Sequence, residues 1–226
     1  RPIPLGSRLL YPLADWAVLK PLRDKLGLVR ARIALCGGSA MAPDVFRLFH
    51  AMGIPLRNVY GTTEIGLCTM HQGETYNLET VGRWMRVDPR WGPPLEWRVT
   101  PEGELEVKGG TGFAGYWGKP DKTAEKWDGE WFRTGDAVSM TESGELVFLE
   151  RCEDMRRLAT GHAYPPQFIE TRLRFSPFIK DVMTLGDRTR PFVAALVNID
   201  GEVVGRWAEE RRLGFSTFTD LSQKPE

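Results

Sequence analysis

Arg32-Ile-Ala-Leu-Cys36, Gly37-Gly38-Ser39-Ala40, the run from Pro43 to Met52, Leu56-Arg-Asn-Val-Tyr60 and Gly61-Thr-Thr-Glu64 follow one another early in the chain. A short apolar run that ends in glycines predicts a buried strand and a loop. Pro43 stands where the first helical turn accommodates a residue without an N–H, so a helix is expected from there to about Met52. A second apolar run and a second polar loop come next. Strand, loop, helix, strand, loop is the pattern of an α/β unit with parallel strands. Ligands of such sheets gather beyond the carboxyl ends of the strands, where both polar loops fall.

Toward the N-terminus, Arg8 to Leu28 is apolar at roughly helical spacing through Leu9, Leu13, Trp16, Ala17, Leu19, Leu22 and Leu26, and closes at Gly27. Basic residues are too few for a membrane-surface helix, so the apolar stripe is expected to face a core. Beyond about Val81 the texture changes. Trp97-Arg-Val-Thr, Gly103-Glu-Leu-Glu-Val-Lys108 and Glu145-Leu-Val-Phe-Leu149 alternate, separated by turns at Pro101-Glu-Gly103 and Glu142-Ser-Gly144. That predicts antiparallel hairpins. A charged stretch from Glu150 to Arg157 follows. After it come a helix at Pro166 to Phe175, strands at Val182 to Gly186 and Phe192 to Asn198, and a helix at Glu202 to Leu213.

The expected architecture is α/β with a β-barrel-like subdomain plus a truncated α+β C-terminal domain. Its predicted parts are residues 1–149 (1–80 α/β, 81–149 antiparallel β), a boundary at 150–154, and a partial small domain at 155–226. The 226 residues are 42% hydrophobic, and 30 Lys and Arg balance 30 Asp and Glu. A net charge of zero argues against nucleic acid as a partner. Cys36, Cys68 and Cys152 lie far apart with no CxxC pair, which argues against a zinc site and for a reducing, cytoplasmic setting. The chain has no apolar run of about 18 residues, the length of a membrane-spanning helix. The opening Arg1-Pro-Ile-Pro-Leu-Gly lacks the apolar region of a signal peptide. With no initiator Met and no terminating feature after Asp220, the chain is expected to be a fragment.

Three stretches carry chemistry. In Tyr60-Gly-Thr-Thr-Glu64, a small Gly61 after a strand lets backbone approach a ligand closely. The hydroxyls of Thr62 and Thr63 and the carboxylate of Glu64 suit phosphate oxygens and a hard cation such as Mg²⁺. A plain polar turn is the alternative. In Trp131-Phe-Arg-Thr-Gly-Asp136, an Asp at a glycine-flanked turn can accept both hydroxyls of a ribose, although Gly-Asp turns are common without any ligand. Arg151, fifteen residues beyond Asp136, taken by itself is a solvated arginine.

Together and in this order, these stretches resemble the adenylate-forming superfamily of acyl-CoA synthetases, aryl-CoA ligases, luciferases and peptide-synthetase adenylation domains. Gly37-Gly38-Ser39-Ala40 is similar to the family's adenine-side loop and Tyr60 to Glu64 to its nucleotide loop. Gly112-Phe-Ala-Gly115-Tyr116-Trp-Gly-Lys-Pro120 with Thr123 resembles its GYxxxPxxT stretch, Trp131 to Asp136 its RTGD turn, and Arg151 its hinge arginine. Pro165-Pro-Gln-Phe-Ile-Glu170, Phe175-Ser-Pro-Phe-Ile179, Ala195-Leu-Val-Asn-Ile-Asp200 and Val204-Gly-Arg-Trp-Ala208 look like bacterial long-chain fatty acyl-CoA synthetases related to the bubblegum clade. So does Thr217 to Glu226.

The resemblance implies ATP-dependent acyl adenylation, then thioester formation with CoA. It implies an adenine pocket of Gly38, Ser39, Ala40 and Tyr60, with Gly61 and Thr62 beside it. Thr63 would bond the α-phosphate, Glu64 would hold Mg²⁺, and both would serve catalysis. Asp136 would grip the ribose with Arg151 nearby, and Glu153 would be the hinge. Partners would be fatty acid, ATP and CoA, with peripheral membrane association through the substrate. The sequence departs from the pattern at Glu153, where relatives carry Asp or Lys. It departs again at Arg157-Leu-Ala-Thr-Gly-His162, where they carry Lys-Leu-Ser-x-Gly-Glu, which leaves Arg157 and His162 without assigned roles. The family's phosphate loop and late lysine have no counterpart in these residues, so the isolated chain is expected not to form acyl-CoA. A non-catalytic AMP-binding or scaffold protein, or a ligase for an aryl or amino acid, are the alternatives.

Overall fold

The computed structural model describes residues 5–39, 41–86, 88–90, 92–109 and 112–224. The chain forms two compact units, Arg1–Thr134 with Val138–Phe148, and Gly135–Ala137 with Leu149–Glu226.

The first unit opens with α1 (Leu5–Ala14), a π-helical turn (Asp15–Leu19) and α2 (Lys20–Lys25). Strand β1 (Ala34–Cys36) lies parallel to β2 (Leu56–Thr62), with α3 (Pro43–Ala51) between them in sequence. Pro43 sits in the first turn of α3 after an extended Ala42, as its fixed φ and missing N–H favour. Phe46 on the buried face of that helix is fully enclosed. The sheet then turns antiparallel, because β2 folds back through a tight turn into β3 (Gly66–Met70), and β3 pairs with β4 (Arg83–Trp84).

Two expectations for this region need correction. The α1–α2 segment does not face a core: Leu13 is 61% and Trp16 72% exposed. The strand at Ala34 to Cys36 is not buried either, since Ile33 is 73% and Leu35 50% exposed. Periodicity reports that a stripe is apolar; only a covering layer buries it, and none of the described residues supplies one here.

A second sheet runs in the order β5 (Glu96–Val99), β6 (Glu104–Lys108), β8 (Trp131–Met140) and β7 (Trp127–Asp128). Strand β9 (Leu146–Arg151) also pairs with β8. The turn before β6 is closed by the Gly103 N–H donating to the Thr100 carbonyl at 2.9 Å. Gly103 has φ 90°, which an L side chain resists. Leu105, Val107, Phe132 and Leu146 form the core with Tyr60, Ile65, Cys68 and Val138. A short α4 (Pro120–Ala124) lies between β6 and β7.

The second unit contains β10 (Arg156–Arg157) paired with β11 (Ala163–Tyr164), and α5 (Pro166–Leu173). The two-stranded sheet of β12 (Ile179–Leu185) and β13 (Ala194–Ile199) follows, then α6 (Gly201–Glu210) and α7 (Phe218–Ser222). Helix α5 is pinned to β12 by Glu170, whose carboxylate accepts the Thr184 N–H at 2.7 Å and its hydroxyl at 2.8 Å. Asp200 caps α6 by accepting the N–H groups of Glu202 and Val203.

Candidate functional site

The stretch Tyr60 to Glu64 is half strand and half turn. Tyr60, Gly61 and Thr62 end β2, and only Thr63, Glu64 and Ile65 form the turn into β3. Gly61 is required by the partner strand: a Cβ there would stand 2.3 Å from the Gly66 carbonyl oxygen and 2.9 Å from the Leu67 Cα. The space reserved by its missing side chain is therefore filled by β3. The Tyr60 ring is buried in the core, stacked on Phe148 with centroids 6.1 Å apart.

What the hairpin presents outward is Thr63, exposed, and the half-buried Glu64 beside Thr62. The Thr62 hydroxyl accepts the Ile65 N–H at 3.2 Å, which closes the turn. The Tyr116 hydroxyl donates to Glu64 Oε1 at 2.6 Å. Burial pushes the Glu64 carboxyl up, but the hydrogen bonds from Tyr116, its own N–H and Thr62, with the field of Lys126, hold it below the usual value. Glu64 is thus kept ionised at neutral pH.

Tyr116 is held in turn. Its N–H donates to the Thr123 hydroxyl at 2.9 Å, and that hydroxyl donates to the Lys119 carbonyl at 3.0 Å. Gly115, at φ 136°, lies against Thr123, so a Cβ there would meet its methyl at 3.0 Å. The stretch from Gly115 to Thr123 therefore forms a brace behind Glu64. Sequence reading found this stretch but gave Tyr116 no task.

In the loop after β1, Gly38 and Ser39 are exposed and Gly38 has φ 88°. Ala40 lies outside the described residues.

In the second unit, Asp136 is not at a turn. Residues 131–140 are one continuous strand, and Gly135 at φ 77° puts a kink inside it. Glycine beside an acid is turn chemistry locally, but strand pairing on both sides overrides it here. Asp136 is 3% exposed, and its Oδ1 lies 2.8 Å from an Arg151 guanidinium nitrogen. The Cys152 N–H donates to the Gly135 carbonyl at 2.8 Å, fixing the end of β9 against the kink. Asp136 and Arg151, which the resemblance sets near one another, are brought together as an ion pair.

Glu153 is exposed just beyond β9. Its neighbour Glu150 is buried and accepts the Gln167 N–H at 2.8 Å; burial pushes its carboxyl up. Of the unassigned residues, Arg157 donates to the Gly161 carbonyl at 3.3 Å, and His162 Nδ1 lies 3.0 Å from the Thr160 hydroxyl.

No group of three or more His, Cys, Asp or Glu side chains able to hold a metal occurs among the described residues. A Mg²⁺ bound to a nucleotide needs no such group, since phosphate oxygens and water fill most of its octahedron around one or two carboxylates. The single ionised Glu64 fits that requirement. No helix among the described residues is long and apolar enough to cross a membrane.

A mixed α/β fold presents a hydroxyl-and-carboxylate hairpin in one unit and an Asp–Arg pair on a kinked strand in the other, and residues 10–117 match the AMP-binding enzyme family. That match includes the hairpin and reaches Tyr116. The chain is similar to a long-chain-fatty-acid–CoA ligase of Mycobacterium bovis, 29% identical over 221 residues, covering 97% of this chain and 35% of that protein. It is similar also to long chain acyl-CoA synthetase 1 of Arabidopsis thaliana, 29% identical, covering 95% of this chain and 34% of that one. The chain thus spans about a third of the length of these curated relatives. Its fold matches the adenylation and carrier didomain of a carboxylic acid reductase from Segniliparus rugosus in complex with AMP. The TM-score is 0.65 at 22% identity, over 89% of this chain and 28% of that one.

Proposed function

We propose that the chain is the nucleotide-holding portion of a cytoplasmic, AMP-forming long-chain fatty-acid–CoA ligase. The observation that carries the proposal is the Glu64 carboxylate, held ionised by Tyr116 at the end of a hydroxyl-bearing hairpin. Such a ligase turns a carboxylate, a poor electrophile, into an acyl adenylate, and CoA thiolate then displaces AMP. The protein contributes mainly position and charge.

In this proposal Thr63 donates its hydroxyl to the α-phosphate, and Glu64 is the protein ligand of Mg²⁺, which when bound neutralises phosphate charge. Gly38, Ser39 and Ala40 border the adenine, and the backbone of Tyr60, Gly61 and Thr62 forms the edge of the nucleotide site. Asp136 accepts both ribose hydroxyls. Arg151, already on one Asp136 oxygen, keeps that carboxylate oriented. Glu153 serves as the pivot between the two half-reactions.

The test is AMP and ATP binding to this chain by calorimetry, with and without Mg²⁺. Asp136→Ala should weaken AMP binding by about tenfold or more, in line with the loss of hydrogen bonds to a charged group. Unchanged affinity overturns the ribose role. Glu64→Gln should abolish the Mg²⁺-dependent gain for ATP and leave Mg²⁺-free AMP binding intact.

A further inference from the structure

The second unit has a cleft of about 660 Å³ that the nucleotide reading does not use, formed where β10 meets the turn joining β12 to β13. Four arginines line it: Arg156 and Arg157 from β10, Arg188 and Arg190 from the turn. The acid in its lining is Asp187, which is engaged elsewhere: Oδ1 accepts the Thr189 N–H at 2.7 Å and the Thr189 hydroxyl. Those bonds, with the field of Arg190, hold Asp187 below the usual carboxylate value.

Among the described residues, none of the four guanidiniums has a carboxylate within ion-pair distance. Arg156 gives one N–H to the Thr184 carbonyl at 3.4 Å, and Arg157 one to the Gly161 carbonyl at 3.3 Å. Each guanidinium has five N–H groups, so most of the donors stay available. On its other side Arg156 borders Glu150, Glu153 and Asp154, which leaves most of the positive field to Arg157, Arg188 and Arg190.

The cleft is braced. The Tyr164 hydroxyl donates to the Gly186 carbonyl at 3.0 Å, and the Ala159 N–H to the Arg190 carbonyl at 2.9 Å. Gly186 leaves no room for a side chain, because a Cβ would stand 2.9 Å from the Tyr164 hydroxyl. Two loops far apart in sequence are thereby tied edge to edge with their arginines on one cavity. Like charges gathered without partners cost stability, and a multiply charged anion removes that cost. Planar guanidiniums match phosphate oxygens in a fork geometry, and a lone carboxylate would leave most of the charge unmatched.

We propose that this cleft is a binding site for a phosphate-bearing ligand. It stands apart from the AMP site proposed above and shares none of its residues; only a CoA phosphate as the source would rest on the ligase reading. Two sources have this chemistry, a soluble di- or polyphosphate and a lipid headgroup. The test titrates the 226-residue chain with pyrophosphate and with CoA by calorimetry, and sediments it with phosphatidylglycerol and with phosphatidylcholine vesicles.

Pyrophosphate or CoA binding that falls about tenfold or more in Arg188→Ala/Arg190→Ala, and is unchanged in the surface control Arg206→Ala, supports a soluble source. Sedimentation with phosphatidylglycerol alone, lost in the same double variant, supports a headgroup. Arg188→Lys/Arg190→Lys should fall between, since it keeps charge and loses the fork. No binding by any probe, binding unaltered in the double variant, or an equal loss in Arg206→Ala each overturns the proposal. Circular dichroism checks that the variants stay folded. The AMP titrations of Asp136→Ala are independent, so either proposal can fail without the other.

Discussion

Strands β6 and β13 make an instructive pair. Glu104-Leu-Glu-Val-Lys108 alternates charge with apolar side chains, yet its three central residues are buried and Leu105 and Val107 are fully enclosed. Ala194-Ala-Leu-Val-Asn-Ile199 is far more apolar, and every residue of it is exposed, Leu196 at 62%. Hydrophobicity along a strand therefore does not set its burial; the number of layers packed against it does. β6 has neighbours on both edges and aromatic side chains over it. Among the described residues β13 has one neighbour, β12, and helix α5 packs against that neighbour.

The largest effect on this contrast belongs to cavity formation in the core. Phe132 is 1% exposed in the β6–β8 core, so Phe132→Ala should cost about 3–5 kcal/mol in denaturant unfolding. A loss below about 1 kcal/mol would mean that the core is loosely packed. Gly135→Ala asks whether the kink in β8 is imposed by that sheet. With φ 77°, an alanine there should cost about 1–2 kcal/mol.

Tyr116→Phe acts on charge more than on packing and should cost about 1 kcal/mol or less. Its clearer readout is acid titration by NMR. The Glu64 carboxyl is held below its ordinary value, so its contribution to stability is present above that value and is lost as pH falls through the folded one. Removing the Tyr116 hydroxyl should raise the Glu64 titration, so that the acid-dependent loss becomes smaller and is complete at higher pH. An unmoved titration would deny the brace. The smallest effect belongs to β13: Leu196→Ser should change stability by no more than about 0.5 kcal/mol. A loss of about 2 kcal/mol would show that something covers that face in solution.

The same contrast explains what was legible in the sequence. Pro43 located a helix start and the run at Leu56 a strand, because both depend on local stereochemistry. The turns at Gly103 and Gly144 were legible for the same reason. Burial of Ile33, Leu35 and the α1–α2 stripe was not, since apolar spacing says nothing about what lies opposite. Arg-Thr-Gly-Asp136 looked like a turn, and only pairing with distant strands makes it the middle of β8. Thr63, Glu64 and Asp136 stood out as candidate side chains in their own short stretches, and Arg151 only through the resemblance. Tyr116 was not, because its contact with Glu64 spans 52 residues, a distance that no short-range pattern encodes.

The kinked strand has a consequence for cutting the molecule apart. Residues 135–137 group with the second unit although both flanks of β8 group with the first, so the polypeptide passes between units three times. A protease that nicks the chain near Leu149, or a gene fusion joined there, would release a piece carrying Arg151 but missing its carboxylate mate. No single scission yields the second unit whole; its smallest faithful version must be spliced from two segments.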